Sequence, residues 1–215
     1  MKRLMKGLGA VALGATPLLA LGAMAGSAGA VQSAAAVSAG GTTTCQAVGK
    51  YLFSPSLTNA GVVTTMSIKV SLTNCSGSAP VSGGSLSATA ATSTALPLTC
   101  GSFLNEGVLP TVTGLIRWSG SAGPVMPSAV TIAGANNFTN LSGSNENLVS
   151  VDLPTAITSG SFSGSGSSVT FANLLSKLTN SALGSKCGAG STGLKGFTFG
   201  TGSLSGAVTV TGAAS

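Results

Sequence analysis

The sequence predicts an all-β domain, an antiparallel β-sandwich or barrel-like sandwich with one short helix near 172–182. Three observations predict it. Apolar and polar residues alternate with a period of two in separate stretches from Thr43 onward, as strands with one buried face do. Clusters of Gly, Ser, Asn and Pro punctuate those stretches at intervals that suit turns. Four cysteines in a chain with no histidine suit a small disulfide-stapled exported domain.

The chain opens on Lys2, Arg3 and Lys6, followed by an uncharged run from Gly7 through Leu21 that is rich in Leu, Ala and Gly. Ala28-Gly29-Ala30 has the small-x-small form that signal peptidase accepts, so 1–30 is read as a signal peptide and Val31 as the mature start. Pro17, the glycines and the uncharged flank after the run argue against a retained transmembrane anchor. Residues 31–42 are mostly Ala, Ser and Gly and read as a flexible lead-in. The roughly 185 residues beyond the signal are enough for one domain, placed at 43–215.

The clearest strand is Met66-Ser67-Ile68-Lys69-Val70-Ser71-Leu72, whose apolar residues share one face, and it stops at Asn74-Cys75-Ser76-Gly77. Ser82-Gly83-Gly84 reads as the next turn. Val112, Gly114, Ile116 and Trp118 alternate in the same way, with Arg117 facing outward, and Ser119-Gly120-Ser121 closes that strand. Short strands follow at Leu148–Leu153, Ser168–Phe171, Phe197–Phe199 and Ala207–Val210, with a turn at Ser163-Gly164-Ser165-Gly166. Phe171, Leu174, Leu175 and Leu178 recur instead at helical spacing with Gly184 as a stop, which predicts the helix near 172–182 as a cap on one end of the sandwich.

Cys45, Cys75, Cys100 and Cys187 all fall beyond the signal and predict two disulfides. The expected pairs are Cys45–Cys75 and Cys100–Cys187, because both join points flanking predicted strands. No cysteine pair has the C-x₂₋₄-C spacing of a zinc site, and no histidine can complete one.

The same inventory excludes much chemistry. Without histidine, most hydrolase triads and proton shuttles have no base. The only carboxylates are Glu106, Glu146 and Asp152. Glu106 sits in a Phe-Leu-Asn-Glu-Gly turn and Glu146 in Ser-Asn-Glu-Asn, which read as solvated loops rather than a glycosidase pair. Asn145, Glu146, Asn147 and Asp152 lack the ligand spacing of a calcium loop. Ser176-Lys177 and Ser185-Lys186 are adjacent, which points nucleophile and base apart. Lys69, the candidate for an isopeptide crosslink, falls on a polar face. No catalytic, cofactor-binding or metal-binding residue is therefore assigned, and no cofactor is expected.

Three of the nine bases belong to the signal, leaving six (Lys50, Lys69, Arg117, Lys177, Lys186, Lys195) against three acids and a net charge of +3. These bases are scattered singly along the sequence, without the clustered footprint and stacking aromatics of a nucleic-acid binder. Short strands, few aromatics and four cysteines also argue against an outer-membrane pore, so no membrane span is expected once the signal is removed.

Thr44-Cys45, Gly49-Lys50-Tyr51-Leu52-Phe53-Ser54-Pro55, Ser71-Leu72-Thr73-Asn74-Cys75-Ser76-Gly77, Ile116-Arg117-Trp118 and Gly193-Leu194-Lys195-Gly196 occur in that order between Thr43 and Val210. In this arrangement the chain resembles a group of small exported four-cysteine, β-rich proteins of high-GC Gram-positive bacteria. The resemblance implies the all-β disulfide fold and supplies no activity and no site residues.

The expected function is that of a non-catalytic secreted or envelope-associated β-sandwich with a structural, adhesive or ligand-binding role. A cell-envelope polymer or another surface protein is the expected partner class. The alternative is a carbohydrate or cell-wall-polymer binding module in which Trp118 or Tyr51 stacks on a sugar ring, although alternation with Ile116 places Trp118 in the core. A secreted hydrolase stands third.

Overall fold

Strand β2 (Thr65–Gly77) forms where the alternation is cleanest, burying Met66, Ile68, Val70 and Leu72 and exposing Lys69, Ser71 and Thr73. The computed structural model describes residues 34–94, 97–104, 110–134, 138–140, 148–172 and 174–213. The predicted signal peptide lies outside them. The described residues form β1 (Gly41–Leu57), β2, β3 (Val81–Ala91), β4 (Val112–Gly120), β5 (Ser128–Ile132), β6 (Phe138–Asn140), β7 (Leu148–Val151), β8 (Thr155–Gly160), β9 (Ser168–Ala172), β10 (Leu175–Thr179), β11 (Leu194–Phe199) and β12 (Gly206–Gly212). Two short helices, α1 (Cys100–Leu104) and α2 (Asn180–Cys187), and one 3₁₀ turn complete the set.

All named strand pairs are antiparallel, and eight strands close in the order β1-β2-β3-β4-β5-β8-β9-β12 with β12 returning to β1. The fold is all-β, as predicted, but it is a closed barrel rather than a sandwich. The cause is β1. Its seventeen residues hold one edge against β2, while the other edge serves two partners. Gly41 to Ala47 pairs with β12 and closes the barrel, and Gly49 to Leu57 pairs with β11. From β11 the sheet continues through β10 and β7 to β6 as a four-stranded extension. Hydroxyl contacts line the closing seam, with Thr42 Oγ1 3.1 Å from Thr211 Oγ1 and Thr44 Oγ1 3.0 Å from Thr209 Oγ1.

The core fills the barrel. Tyr51 stacks on Phe197 with ring centroids 5.2 Å apart and lies against Phe199 at 5.9 Å. Trp118 packs on Phe162 at 5.0 Å, and its Nε1 donates to Ser128 Oγ at 2.8 Å. Ser128 Oγ in turn donates to the Ser161 carbonyl, so both buried polar groups are satisfied. Two glycines make room for these rings. A Cβ on Gly49 would lie 2.3 Å from Phe199 Cζ, and one on Gly84 would lie 3.2 Å from Trp118 Cε3, the two glycines standing directly opposite those aromatics in register. Ser82-Gly83-Gly84 is therefore not the predicted turn but the interior of β3, where the absent side chain admits a cross-strand ring.

The helix is also displaced from its predicted place. Residues 175–179 are strand β10, paired with β7, and the helix runs from Asn180 to Cys187. Leu174 and Leu178 are buried on the sheet rather than on a helical stripe. Ser176 Oγ binds the Thr198 carbonyl at 3.0 Å, and Thr179 Oγ1 caps α2 by accepting from Ala182 N at 3.1 Å. Gly184 falls inside the helix and does not stop it.

Both predicted disulfides are present. Cys45–Cys75 joins neighbouring strands beside a bulge in the β1–β2 register, with Cα atoms 4.0 Å apart. Cys100–Cys187 ties the start of α1 to the end of α2, with Cα atoms 5.9 Å apart. The expected lead-in is not loose where it is described. Val37 bridges Val125, Ala39 is buried, Ala39 N donates to Ser161 Oγ at 2.9 Å, and Phe162 N donates to the Ala39 carbonyl at 2.7 Å. Ala39 belongs to the core cluster, which the Ala, Ser and Gly composition of that stretch did not reveal.

Candidate functional site on the outer face of the barrel

Alternation in β1 sends Tyr51 and Phe53 inward, so Val48, Lys50 and Leu52 must point outward. In β2 the same rule turns Lys69 and Ser71 out, and in β3 it turns Ser85 and Ser87 out. The register then lines up Thr198, Lys50, Lys69, Ser87 and Leu115 across five neighbouring strands. The adjacent row runs Val48, Ser71, Ser85 and Arg117. Two residues that read as isolated bases in the sequence are thus directly opposed.

A shallow groove of 520 Å³ lies over these rows. Lys50 and Lys69 line it together with Val48 and the hydroxyl residues Ser71, Ser85, Ser87 and Thr198. No carboxylate is among its described lining residues. Like charges directly opposite each other destabilise an antiparallel pair, so the sheet carries an unfavourable term here that an anion would relieve. The lysine stems and the half-exposed Val48 and Leu52 provide apolar surface beside the ammonium groups. Such an arrangement can attract negative charge and hydrogen-bond to hydroxyls. Its described lining residues include no histidine and no cysteine.

The residues singled out from the sequence are dispersed. Trp118 and Tyr51 are both core residues, at 7% and 0% exposure, so neither presents a ring to a sugar. Burial pushes the Tyr51 phenol far above its usual range, and the carboxylate of Asp152 adds to the push. Asp152 itself is exposed just past β7. Glu106, Glu146, Asn145 and Asn147 lie outside the described residues. Lys69 is exposed on the outer face, away from any buried isopeptide geometry. Ser176 is buried and spent on the Thr198 carbonyl, while Ser185 Oγ bonds the Ala182 carbonyl one turn back. Among the described residues no three His, Cys, Asp or Glu side chains gather as a metal site.

One signal in the sequence could have located the lysine pair. Lys50 lies five residues after Cys45, and Lys69 lies six before Cys75. An antiparallel hairpin closed by that disulfide brings the two together once a single bulge absorbs the extra residue, and the β1–β2 register shifts at that point. Comparison with family models, curated proteins and solved structures returns no match for this chain.

Proposed function

We propose that the protein is a non-catalytic exported barrel that acts at the cell envelope by presenting its outer face to a ligand, with the groove over β1, β2, β3 and β11 as the contact surface. The opposed Lys50 and Lys69, ringed by four hydroxyl residues, carry this reading. Three further observations support it. The barrel interior is packed with side chains, which leaves the outside as the place for a partner. Two disulfides suit an oxidising compartment. The strands bury apolar residues and turn Ser, Thr and Lys outward, the inverse of a lipid-facing barrel. A carbohydrate module that works through stacked aromatics loses its platforms, because Trp118 and Tyr51 are inside.

The test is binding of the labelled, oxidised protein to washed envelope polymer. Wild-type protein should be retained, and Lys50→Gln with Lys69→Gln should lower retention. Replacing Glu106, Glu146 and Asp152 with their amides should leave it unchanged. Equal retention of the lysine variant, or turnover of a polysaccharide, peptide or ester that the triple amide variant abolishes without unfolding, would overturn the reading.

A further inference from the structure

We infer that the groove takes an acidic polysaccharide, a linear glycan bearing carboxylates, laid across the strands from Lys50 and Lys69 toward Arg117; this rests on the reading of the groove as the contact surface. Lys50 and Lys69 occupy neighbouring strands in direct register, which sets their backbones about 4.8 Å apart. Arg117 is two strands beyond Lys69 and one outward-facing row along, a backbone separation of about 12 Å. The positive charge therefore forms a track across the sheet rather than a single point. Between its ends stand Ser71, Ser85 and Ser87, each able to donate and to accept. A polymer alternating carboxylates with hydroxyls matches that order of groups.

Other polyanions fit less well. The described lining holds no aromatic side chain, so a single-stranded nucleic acid would find charge without a stacking platform. A lipid surface favours basic residues beside a broad apolar face, whereas Val48, Leu52 and Leu115 stand singly here among Ser and Thr on separate strands or rows. The groove is open and shallow, which suits a chain that enters and leaves at both ends.

Polygalacturonate and its fully methyl-esterified form share one backbone and differ in charge, so together they are the probe. The oxidised protein should bind the acid form, weaken steadily as salt rises, and fail to bind the ester. Lys50→Gln with Lys69→Gln should cost about tenfold in affinity, and Arg117→Gln should cost less. Lys186→Gln with Lys195→Gln removes the same charge from a separate hollow of 240 Å³ around Thr192 and should leave binding intact. Unfolding midpoints and disulfide maps must match wild type in each variant. Equal binding of the ester would overturn the inference while leaving the groove as the contact surface. An equal loss in the Lys186 and Lys195 variant would overturn it in favour of net charge alone. Tighter binding to a single-stranded oligonucleotide or to anionic vesicles would overturn it in favour of those partners. Failure to bind polygalacturonate, with lysine-dependent retention on envelope polymer preserved, would reject the glycan and keep the proposed function.

Discussion

Lys69 shows how a single side chain can be placed against the stability of its own sheet. Opposite Lys50 it repels, and at low salt a change to Glu should convert repulsion into attraction worth about 0.2–1 kcal/mol. The expected outcome for Lys69→Glu is a higher urea midpoint together with lost binding in the groove. A lower midpoint would show that Lys69 packs favourably through its stem. Tyr51 makes a second prediction at this scale. Its folded-state pKa is raised above the unfolded value, first by burial and then by Asp152, so its contribution is complete below the unfolded pKa of 10.0 and is lost as pH rises beyond it. Because it is the only tyrosine, phenolate absorbance reports it alone. That absorbance should stay silent until the barrel unfolds, and stability should fall with rising alkalinity. A phenolate signal that appears while the fold is intact would reject the buried placement.

Among the elements, the two disulfides do different work. Cys45–Cys75 pins a strand pair that already shares a long register, whereas Cys100–Cys187 closes a separation of 87 residues between two helices. In the chain-entropy model the second constraint contributes about 4–5 kcal/mol. Cys100→Ala with Cys187→Ala should therefore lower the unfolding free energy by an amount of that order, read from denaturant titration. How much of each element could be read from sequence depends on what its inward residues are. β2 and β4 bury Met66, Ile68 and Trp118 between polar neighbours, and their alternation is plain. β1 places Thr43, Cys45, Ala47 and Gly49 on its inner face before Tyr51, so half its length carries little hydrophobic signal. β3 hides behind Gly83 and Gly84, which look like a turn, whereas Gly84 makes room for Trp118 across the sheet and Gly83 lies close to the Leu72 carbonyl. For α2, the leucines at helical spacing belonged to the sheet, and Thr179 as a capping residue was the better marker of where the helix begins. The groove was hidden for a different reason: each lysine is ordinary alone, and only register makes them a pair.

At the scale of the molecule, barrel and sandwich differ in one pairing, β12 on β1, which no local pattern announces. Closure removes the free edges from eight strands and leaves the four-stranded extension, ending at β6, as the open margin among the described strands. The ring is not uniform. Among the described residues β8 and β9 share a single register pair, Thr155 with Val169, against five at the β12–β9 seam. Amide exchange should therefore be faster along β8 and β9 than along the β2–β3 seam, where eight residues pair. Comparable protection at both seams would show that the side chains, rather than the ladder, hold the ring there.

The strand that begins the barrel is completed by the strand that ends it. Thr42 meets Thr211 across 169 residues, so β1 cannot satisfy its upper edge until β12 has been made. Contacts of such span are slow to form, which puts folding in the range of milliseconds to seconds. Until then the chain has no closed state to fall into. Under the export proposed above, that delay is an asset: the order of the strands keeps the chain threadable until β12 follows. Moving β12 to precede β1 through a short linker should let the ring shut early, giving faster refolding in vitro and, under that proposal, slower export.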